Sequence, residues 1–436
     1  MNLSPYPSSH RPSQSASGSH IARLQCWILL LTLLLSSGCS TLRTRPANTG
    51  PWNLKELELP PAYTTGSKTG IVEEVYFQGP SIQGKPTRVF AYLARPASTS
   101  GKKSPAMVLV HGGGGKAFRE WAEHWAKRGY VAIAMDLAGN GPSGRLPDGG
   151  PDQSDATKFR DFAENDSGEM WTYHAVANVI RAHSLLRSLP DVDARRTGLT
   201  GISWGGYLTC LVASLDHRFQ AAVPVYGCGF LGDNSVWRDG SLAAMPARSR
   251  ALWLSQFDPG QYLSQVRCPI LFLNGTTDFA YPLDSYQKSY SLVPDRFRHT
   301  AIVTNLPHGH IWTFREVDAF VDHAVKTSGA KPLTTVGKVH LRPAGDSGTS
   351  LDQHLEVSTG SVVPIQDALL CYTTDSGPWN KRQWLTSPAK QHGSKISALL
   401  PSQRPLVAYL ALIDERGLRV SSDFVSLRNK EGGELR

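Results

Sequence analysis

Residues 199–207 have the sequence Leu-Thr-Gly-Ile-Ser-Trp-Gly-Gly-Tyr, and this stretch decides the fold. An apolar run leads into it, and Gly205–Leu215 continues with the apolar periodicity of a helix. Gly201 and Gly205 flank Ser203 because a Cβ at either position would collide with backbone in a tight strand-to-helix turn. Such a turn lifts the serine hydroxyl above the sheet and directs the N-terminus of a helix at it. We therefore predict that Ser203 is a nucleophile.

Short apolar runs bounded by Gly, Asp or Pro recur on both sides of this stretch, as in the buried strands of parallel sheets. Helical patterns lie between them at Ala117–Arg128, at Trp171–Arg187 and in the helix that follows Ser203. This alternation predicts an α/β fold with a mostly parallel sheet flanked by helices. The predicted strands are Val72–Phe77, Thr87–Leu93, Ala106–Val110, Val131–Met135, Gly198–Gly201, Ala221–Val225, Pro269–Leu273 and Thr300–Thr304.

A serine hydroxyl is a weak nucleophile without a base, so an acid and a histidine are expected later in the chain. Asp278 follows one predicted strand and His308 follows the next. We assign Asp278 as the acid that orients the imidazole and His308 as the base. Asp284 and His310 are the alternatives. We prefer His308 because the loop turns at Gly309 directly after it.

Four consecutive glycines follow His111 at the end of a predicted strand. Consecutive glycines allow backbone N–H groups to approach a ligand oxygen closely. We predict that the N–H groups of Gly113 and Trp204 form an oxyanion hole, with a flexible glycine turn as the alternative. A phosphate-binding loop is excluded because no Gly-Lys-Ser/Thr sequence follows.

Together these motifs resemble the α/β-hydrolase superfamily. The stretches VLVHGGGG, VAIAMDLAGNG, LTGISWGGY, LFLNGTTDFAYP and LPHGHIW occur in the order that this family uses and span about residues 70–325. Within the superfamily, the chain resembles the branch that contains dienelactone hydrolases and acetylxylan esterases. Dienelactone hydrolases use a cysteine nucleophile, so the presence of Ser203 favours ester hydrolysis.

Several aromatic residues lie in or beside two insertions, residues 139–171 and 231–262. Aromatic rings stack on sugar faces, but they also fill protein cores. We predict that Trp171, Tyr226 and Trp312 contact the substrate, with core packing as the alternative for each. The other aromatic residues of this group are Trp204, Trp237 and Trp253.

The N-terminal segment has the organisation of an export signal. Arg11 and Arg23 precede the apolar run Trp27–Leu35, which is too short to span a membrane. Cys39 makes the segment resemble a bacterial lipoprotein signal, although Ser36 stands where leucine is usual. The resemblance implies that Cys39 is lipidated and that the protein is anchored at the outer membrane, since aspartate does not follow the cysteine. A periplasmic, secreted or cytoplasmic protein is the alternative.

The formal net charge of +9 is spread thinly along the chain. Nucleic acid as the main partner would need a concentrated basic stripe, so we exclude this class. The cysteines that follow the signal match no zinc pattern and lie in apolar stretches, where free thiols are expected. No metal or organic cofactor is implied. These cysteines are Cys210, Cys228, Cys268 and Cys371.

After residue 330 the pattern changes to short strands separated by turns, which predicts a small β-sandwich. Trp379 and Trp384 lie near a turn in this region, where they either pack in the interior or form a sugar-binding platform. We favour packing. The predicted strands are Lys338–Arg342, Leu355–Ser358, Gln366–Thr373, Lys395–Leu400, Leu406–Ile413 and Arg419–Ser426.

The sequence therefore predicts a signal (1–39), a tether (40–60), a catalytic domain (61–330) and a β-sandwich domain (331–436). The favoured function is a serine hydrolase that cleaves carboxylic esters through an acyl-enzyme, with small esters or acetylated glycans as substrates. A serine peptidase of the prolyl-oligopeptidase type is one alternative, although only about 50 residues lie between the tether and the third predicted strand, too few for the β-propeller that this family usually places before its hydrolase domain. A non-catalytic, carbohydrate-binding lipoprotein is the other alternative.

Overall fold

A computed structural model of the chain describes residues 47–97, 101–310, 314–326, 329–343 and 353–428. The first part of the described chain contains a nine-stranded sheet and a separate two-stranded ribbon. The strands are β1 (Tyr63–Thr69), β2 (Val72–Ile82), β3 (Lys85–Ala94), β4 (Ser104–Val110), β5 (Val131–Met135), β6 (Asn140–Gly141), β7 (Gly144–Arg145), β8 (Val192–Ile202), β9 (Ala221–Val225), β10 (Ile270–Gly275) and β11 (Arg298–Val303), with β6 and β7 forming the ribbon.

The nine strands are arranged in the order β1-β2-β3-β5-β4-β8-β9-β10-β11. From β5 to β11 every neighbouring pair is parallel, whereas β1, β2 and β3 join antiparallel. Every residue of β4, β5 and β9 is buried, as their continuous apolar sequences require. The prediction of a mostly parallel sheet is confirmed. Strand β1 was not predicted, because its sequence is polar and all seven of its residues are exposed.

Helices pack around this sheet, and the predicted helices lie within two residues of their expected ends. Among the described residues, none of the helices combines the length and the apolar character needed to cross a membrane. The helices are α1 (Leu54–Leu57), α2 (Arg119–Lys127), α3 (Asp155–Lys158), α4 (Trp171–Ser188), α5 (Trp204–Leu215), α6 (Ala247–Phe257), α7 (Leu283–Tyr290) and α8 (Arg315–Val325), with short 3-10 turns at Glu164–Glu169, Pro259–Gln261, Leu263–Gln265 and Trp379–Lys381 and a π turn at Arg238–Leu242.

The part of the chain after residue 330 forms two antiparallel sheets, which confirms the predicted β architecture. Strands β12, β13, β14, β17 and β18 make one sheet, and β15, β16, β19, β20 and β21 make the other. Three short strands, β12, β16 and β17, were not predicted because they carry no apolar alternation. The strands are β12 (Thr335–Val336), β13 (His340–Pro343), β14 (Gln353–Gly360), β15 (Ile365–Thr373), β16 (Leu385–Pro388), β17 (Lys390–His392), β18 (Lys395–Leu399), β19 (Leu406–Asp414), β20 (Arg419–Ser421) and β21 (Val425–Leu427).

The C-terminal sheets contact the open edge of the central sheet at β11. The Ser421 hydroxyl accepts a hydrogen bond from the Ile302 N–H at 3.0 Å, and the Thr300 hydroxyl donates to the Ser421 carbonyl at 2.7 Å. The Thr304 and Tyr409 hydroxyls lie 3.1 Å apart. An uncovered strand edge can pair with other chains, so these contacts protect the last strand of the sheet.

The two tryptophans of the C-terminal region are packed. Trp384 is only 7% exposed, and its ring lies 5.7 Å from that of Tyr409. The Arg382 guanidinium covers the Trp379 ring at 3.8 Å, and Phe424 packs against the same ring at 5.4 Å. These contacts occupy ring surface that a sugar platform would need to leave open.

We expect Trp384→Ala to lower the free energy of unfolding by about 3 kcal/mol, since a large buried ring is lost. Denaturant titration measures this loss. Leu385→Ala is the matched control, because Leu385 is adjacent but 54% exposed, and it should change stability by less than about 0.5 kcal/mol. Unchanged stability together with lost binding to insoluble polysaccharide would contradict the packing assignment.

Candidate active site

Ser203 lies in the turn between β8 and α5 with φ 61° and ψ −119°. This region of backbone conformation is unfavourable for a residue with a Cβ, so surrounding contacts must hold it. The Ser203 N–H donates to the Val225 carbonyl of β9 at 2.9 Å. A Cβ on Gly201 would overlap the Gly205 carbonyl, and one on Gly205 would overlap the Val110 carbonyl. The glycines are therefore required for the steric reason predicted.

His308 and Asp278 form a hydrogen-bonded series with Ser203. The Ser203 Oγ lies 2.8 Å from His308 Nε2, and His308 Nδ1 lies 2.6 Å from Asp278 Oδ2. The other carboxylate oxygen of Asp278 accepts the N–H groups of Ala280 at 2.8 Å and Tyr281 at 2.7 Å. With the carboxylate ionised, Nδ1–H donates to Asp278, which leaves Nε2 to accept the serine proton.

The two alternative residues, Asp284 and His310, make hydrogen bonds to other groups. The Asp284 carboxylate is on α7 and accepts two hydrogen bonds from the Asn234 amide, at 3.0 and 2.9 Å. His310 Nε2 accepts the Gly112 N–H at 3.0 Å. Burial lowers the pKa of His310, and the neighbouring His111 and His308 lower it further. His310 is therefore a neutral acceptor beside the nucleophile, and the contact with Ser203 belongs to His308.

The glycine loop after β4 passes directly over the nucleophile. A Cβ on Gly112 would lie 2.8 Å from the Ser203 Cβ, and one on Gly113 would lie 2.9 Å from Trp204 Cδ1. Trp204 begins α5, and the N–H groups of the first turn of a helix have no acceptor within the helix. The two predicted oxyanion-hole residues, Gly113 and Trp204, are thus adjacent at Ser203.

Two of the aromatic residues that we predicted to contact the substrate are buried in the protein. Tyr226 is 1% exposed, stacks on the His308 ring at 4.4 Å and donates its hydroxyl to the Pro307 carbonyl at 2.8 Å. Trp171 is also 1% exposed and donates its indole N–H to the Leu137 carbonyl at 2.7 Å. Both predictions of substrate contact are corrected, because these rings are covered by protein. Trp312 lies outside the described residues.

The Trp204 side chain is enclosed by other aromatic rings. Trp237 lies 4.6 Å from it, Trp171 5.6 Å and Phe159 6.0 Å, as ring centroid distances. The Lys158 ammonium lies 4.6 Å from the centre of the same indole. The insertions that carry these residues therefore pack inward and hold in place the side chain that follows the nucleophile.

Sequence reasoning missed two residues of this region. Phe279 is 53% exposed although its ring centre is 4.9 Å from that of His308. An apolar residue directly after the candidate acid was the available signal. Lys158 is buried and paired with Asp155 Oδ1 at 2.9 Å, and burial lowers the pKa of Lys158. Nothing in the sequence distinguishes this lysine from a surface lysine.

The four described cysteines are buried and unpaired, as predicted. Burial raises the pKa of the Cys228 thiol well above its ordinary value, and that of Cys210 is raised for the same reason. A protonated, buried thiol is a poor nucleophile, so these residues serve as small apolar side chains.

Residues 55–241 match the family model described as acetyl xylan esterase (AXE1). This region includes Ser203 and Gly113 but ends before Asp278 and His308. Acetyl esterase Axe7A of Xylanibacter ruminicola is 24% identical over 212 residues, which cover 44% of this chain and 46% of that protein. The uncharacterized peptidase YuxL of Bacillus subtilis is 25% identical over 229 residues, which cover 49% of this chain and 32% of that protein. The alignments thus span less than half the length of either relative.

An acetyl xylan esterase from Paenibacillus sp. R4 has a similar solved structure. The TM-score is 0.51 at 20% sequence identity, over 62% of this chain and 92% of that chain. This similarity establishes the fold. The chain therefore has the α/β-hydrolase fold, and residues 55–241 within it are similar to the acetyl xylan esterase family.

Proposed function

We propose that this protein hydrolyses carboxylic esters through an acyl-enzyme on Ser203, with acetylated carbohydrate as the substrate class. The observation that carries the proposal is the series Ser203–His308–Asp278, joined by hydrogen bonds of 2.8 and 2.6 Å at a strand-to-helix turn. The match of residues 55–241 to acetyl xylan esterases supports the choice of ester over other acyl compounds.

Each residue of the series has a chemical role in this proposal. His308 Nε2 takes the proton as Ser203 Oγ attacks the ester carbonyl, and Asp278 stabilises the imidazolium that results. The Gly113 and Trp204 N–H groups stabilise the oxyanion of the tetrahedral intermediate. His308 then protonates the leaving alcohol. In the second half, His308 activates water, the acyl-enzyme is hydrolysed and Ser203 regains its proton.

The surroundings of Trp204 favour a short acyl group. Its indole lies against Gly113 and Trp204 is only 2% exposed, so the aromatic cluster around it fills the space beside the glycine loop. Trp237 and Trp171 pack on Trp204 and prevent the indole from moving aside. An acetyl group suits such a restricted space better than a longer chain.

The side of the site near Phe279, where we expect the leaving alcohol, is more exposed than the side near Trp204. Phe279 exposes an aromatic face beside His308, which is the group that protonates the leaving alcohol. We therefore place the leaving alcohol beside this ring. A flat apolar surface suits the face of a sugar ring, which supports a carbohydrate as the alcohol.

A serine peptidase is the second candidate, supported by the similarity to YuxL. The same nucleophile and base can cleave an amide, so the machinery alone does not separate the two activities. Turnover of acetylated xylan or p-nitrophenyl acetate, compared with aminoacyl-p-nitroanilides, distinguishes the two candidates directly.

We expect Ser203→Ala and Asp278→Asn to lower kcat for acetyl ester hydrolysis by about 10³-fold or more. The alanine variant lacks the nucleophile, and the asparagine variant no longer stabilises the imidazolium. Steady-state kinetics measure the loss. Asp284→Asn is the matched control and should retain activity within about threefold. Equal loss in the Asp284 variant, or turnover of only the aminoacyl substrates, would refute the assignment.

We expect Trp237→Ala to raise the preference for butyryl over acetyl esters about tenfold, because space opens beside Trp204. The ratio of kcat/KM values for p-nitrophenyl esters of increasing length measures this change. Trp253→Ala is the control, since the described ring contacts of Trp253 are with Phe159, Tyr207 and Phe257. A preference that is unchanged in Trp237→Ala, or is changed equally in both variants, would contradict the assignment of the acyl side.

We further propose that a lipid on Cys39 anchors the protein to the outer membrane. This residue lies outside the described part of the chain, and the proposal rests on the sequence pattern of the N-terminal segment. An anchored esterase would remain at the cell envelope while it acts on external polymer.

We expect the wild-type protein to partition into the detergent phase and Cys39→Ser to remain unprocessed or to enter the aqueous phase. Phase separation followed by immunoblotting measures the distribution. Cys26→Ser is a control within the same segment and should behave as the wild type. A wild-type protein found in the aqueous phase would contradict lipidation.

A further inference from the structure

Two histidines hold the peptide units on either side of Gly112. His310 Nε2 accepts the Gly112 N–H at 3.0 Å. His111 Nε2 accepts the Leu137 N–H at 2.9 Å, so its ring proton is on Nδ1, which donates to the Gly112 carbonyl at 2.7 Å. The Gly115 N–H also donates to this carbonyl, at 3.1 Å. Both polar groups of Gly112 are therefore held by side chains.

These contacts determine the direction of the Gly113 N–H. The Gly112 carbonyl and the Gly113 N–H belong to one planar trans peptide and point in opposite directions. A carbonyl held by His111 and Gly115 therefore also orients the donor at Gly113. The preceding peptide is held from the other side by His310, so rotation about Gly112 is restricted at both ends.

The loop needs such contacts because its sequence provides little rigidity. Glycine has more backbone freedom than any other residue type, so ordering four consecutive glycines is entropically costly. A Cβ on Gly112 would lie 2.7 Å from His310 Nε2 and 2.8 Å from the Ser203 Cβ, so only glycine fits in this place. Because Gly112 cannot be replaced by a less flexible residue, contacts from outside the loop must hold its backbone in place.

We propose that His310 is a positioning residue that holds Gly112 and thereby aims the Gly113 N–H at the oxyanion. The role assigned to the Gly113 N–H rests on the proposed function. Phe118 and Trp121 pack against the His310 ring, at 5.3 and 6.3 Å, and fix the acceptor nitrogen in place. Because the pKa of His310 is lowered by burial, the ring stays neutral and keeps its acceptor near neutral pH. The loop that delivers the base, two residues before His310, thus also supports the oxyanion loop.

Two substitutions separate the acceptor from the packing of the ring. His310→Phe keeps an aromatic ring against Phe118 and Trp121 but has no acceptor. His310→Gln has a side-chain oxygen that can accept the Gly112 N–H but lacks the ring. We expect the phenylalanine variant to lower kcat for acetyl ester hydrolysis about 10- to 100-fold, with KM changed less than about twofold. The glutamine variant should stay within about fivefold of the wild-type kcat.

A second measurement does not depend on the natural substrate. A fluorophosphonate phosphonylates Ser203 with loss of fluoride, through a pentacoordinate phosphorus whose phosphoryl oxygen also occupies the oxyanion hole. The rate of labelling should fall in His310→Phe and be restored in His310→Gln, whether or not acetyl esters are turned over. If the wild-type protein is labelled rapidly but hydrolyses no ester, the proposed function fails and the role of His310 is still measured.

The opposite order of variants would overturn the proposal. If His310→Phe is labelled and turns over ester like the wild type while His310→Gln does not, His310 acts by packing. If both variants lose all activity and His308→Ala retains it, His310 is the base instead. Thermal unfolding of both variants provides the control, because a folding defect would lower the melting temperature together with the labelling rate. If one variant is unfolded, His310→Asn and His310→Leu provide a second pair for the same comparison.

Discussion

The strained backbone of Ser203 is the constraint on which the site depends. A φ of 61° is costly for serine, and it is maintained because the N–H of Ser203 is bound by Val225 of the neighbouring strand. The glycines around it allow β4, β8 and α5 to approach so closely that no Cβ fits between them. The turn places the hydroxyl at the carboxyl edge of the sheet, where the loops of the other strands meet.

The parallel order of β9, β10 and β11 then brings distant residues to this edge. Because β10 and β11 are adjacent and parallel, the residues that follow each of them emerge side by side. Asp278 follows β10 and His308 follows β11, and so they meet although 30 positions separate them. Tyr226 follows β9 and stacks on the His308 ring, which restricts the imidazole to the plane that contacts Ser203. The geometry of the site is thus a consequence of strand order.

The sequence was informative where one residue type is sterically or chemically required. Gly201 and Gly205 identify the turn because nothing larger fits, and wholly apolar runs identify β4, β5 and β9 because both faces of the sheet are covered. The aromatic residues could not be assigned in this way. A tryptophan such as Trp171 has the same sequence context whether it faces a substrate or a core, and only the packing of α4 against α5 decides. The role of His310 was hidden for a similar reason, since its partner is a backbone N–H 198 positions away.

The C-terminal sheets also restrain the candidate site, through their contacts with β11. Strand β11 carries the loop with His308 and His310, and it is the last strand of the central sheet. An edge strand lacks a neighbour on one side and is the least restrained part of a sheet. Ser421 supplies two hydrogen bonds on that open side, to Thr300 and Ile302, only a few residues before His308. The C-terminal sheets therefore stabilise the strand that precedes both His308 and His310, and in this way they contribute to the geometry of the candidate site.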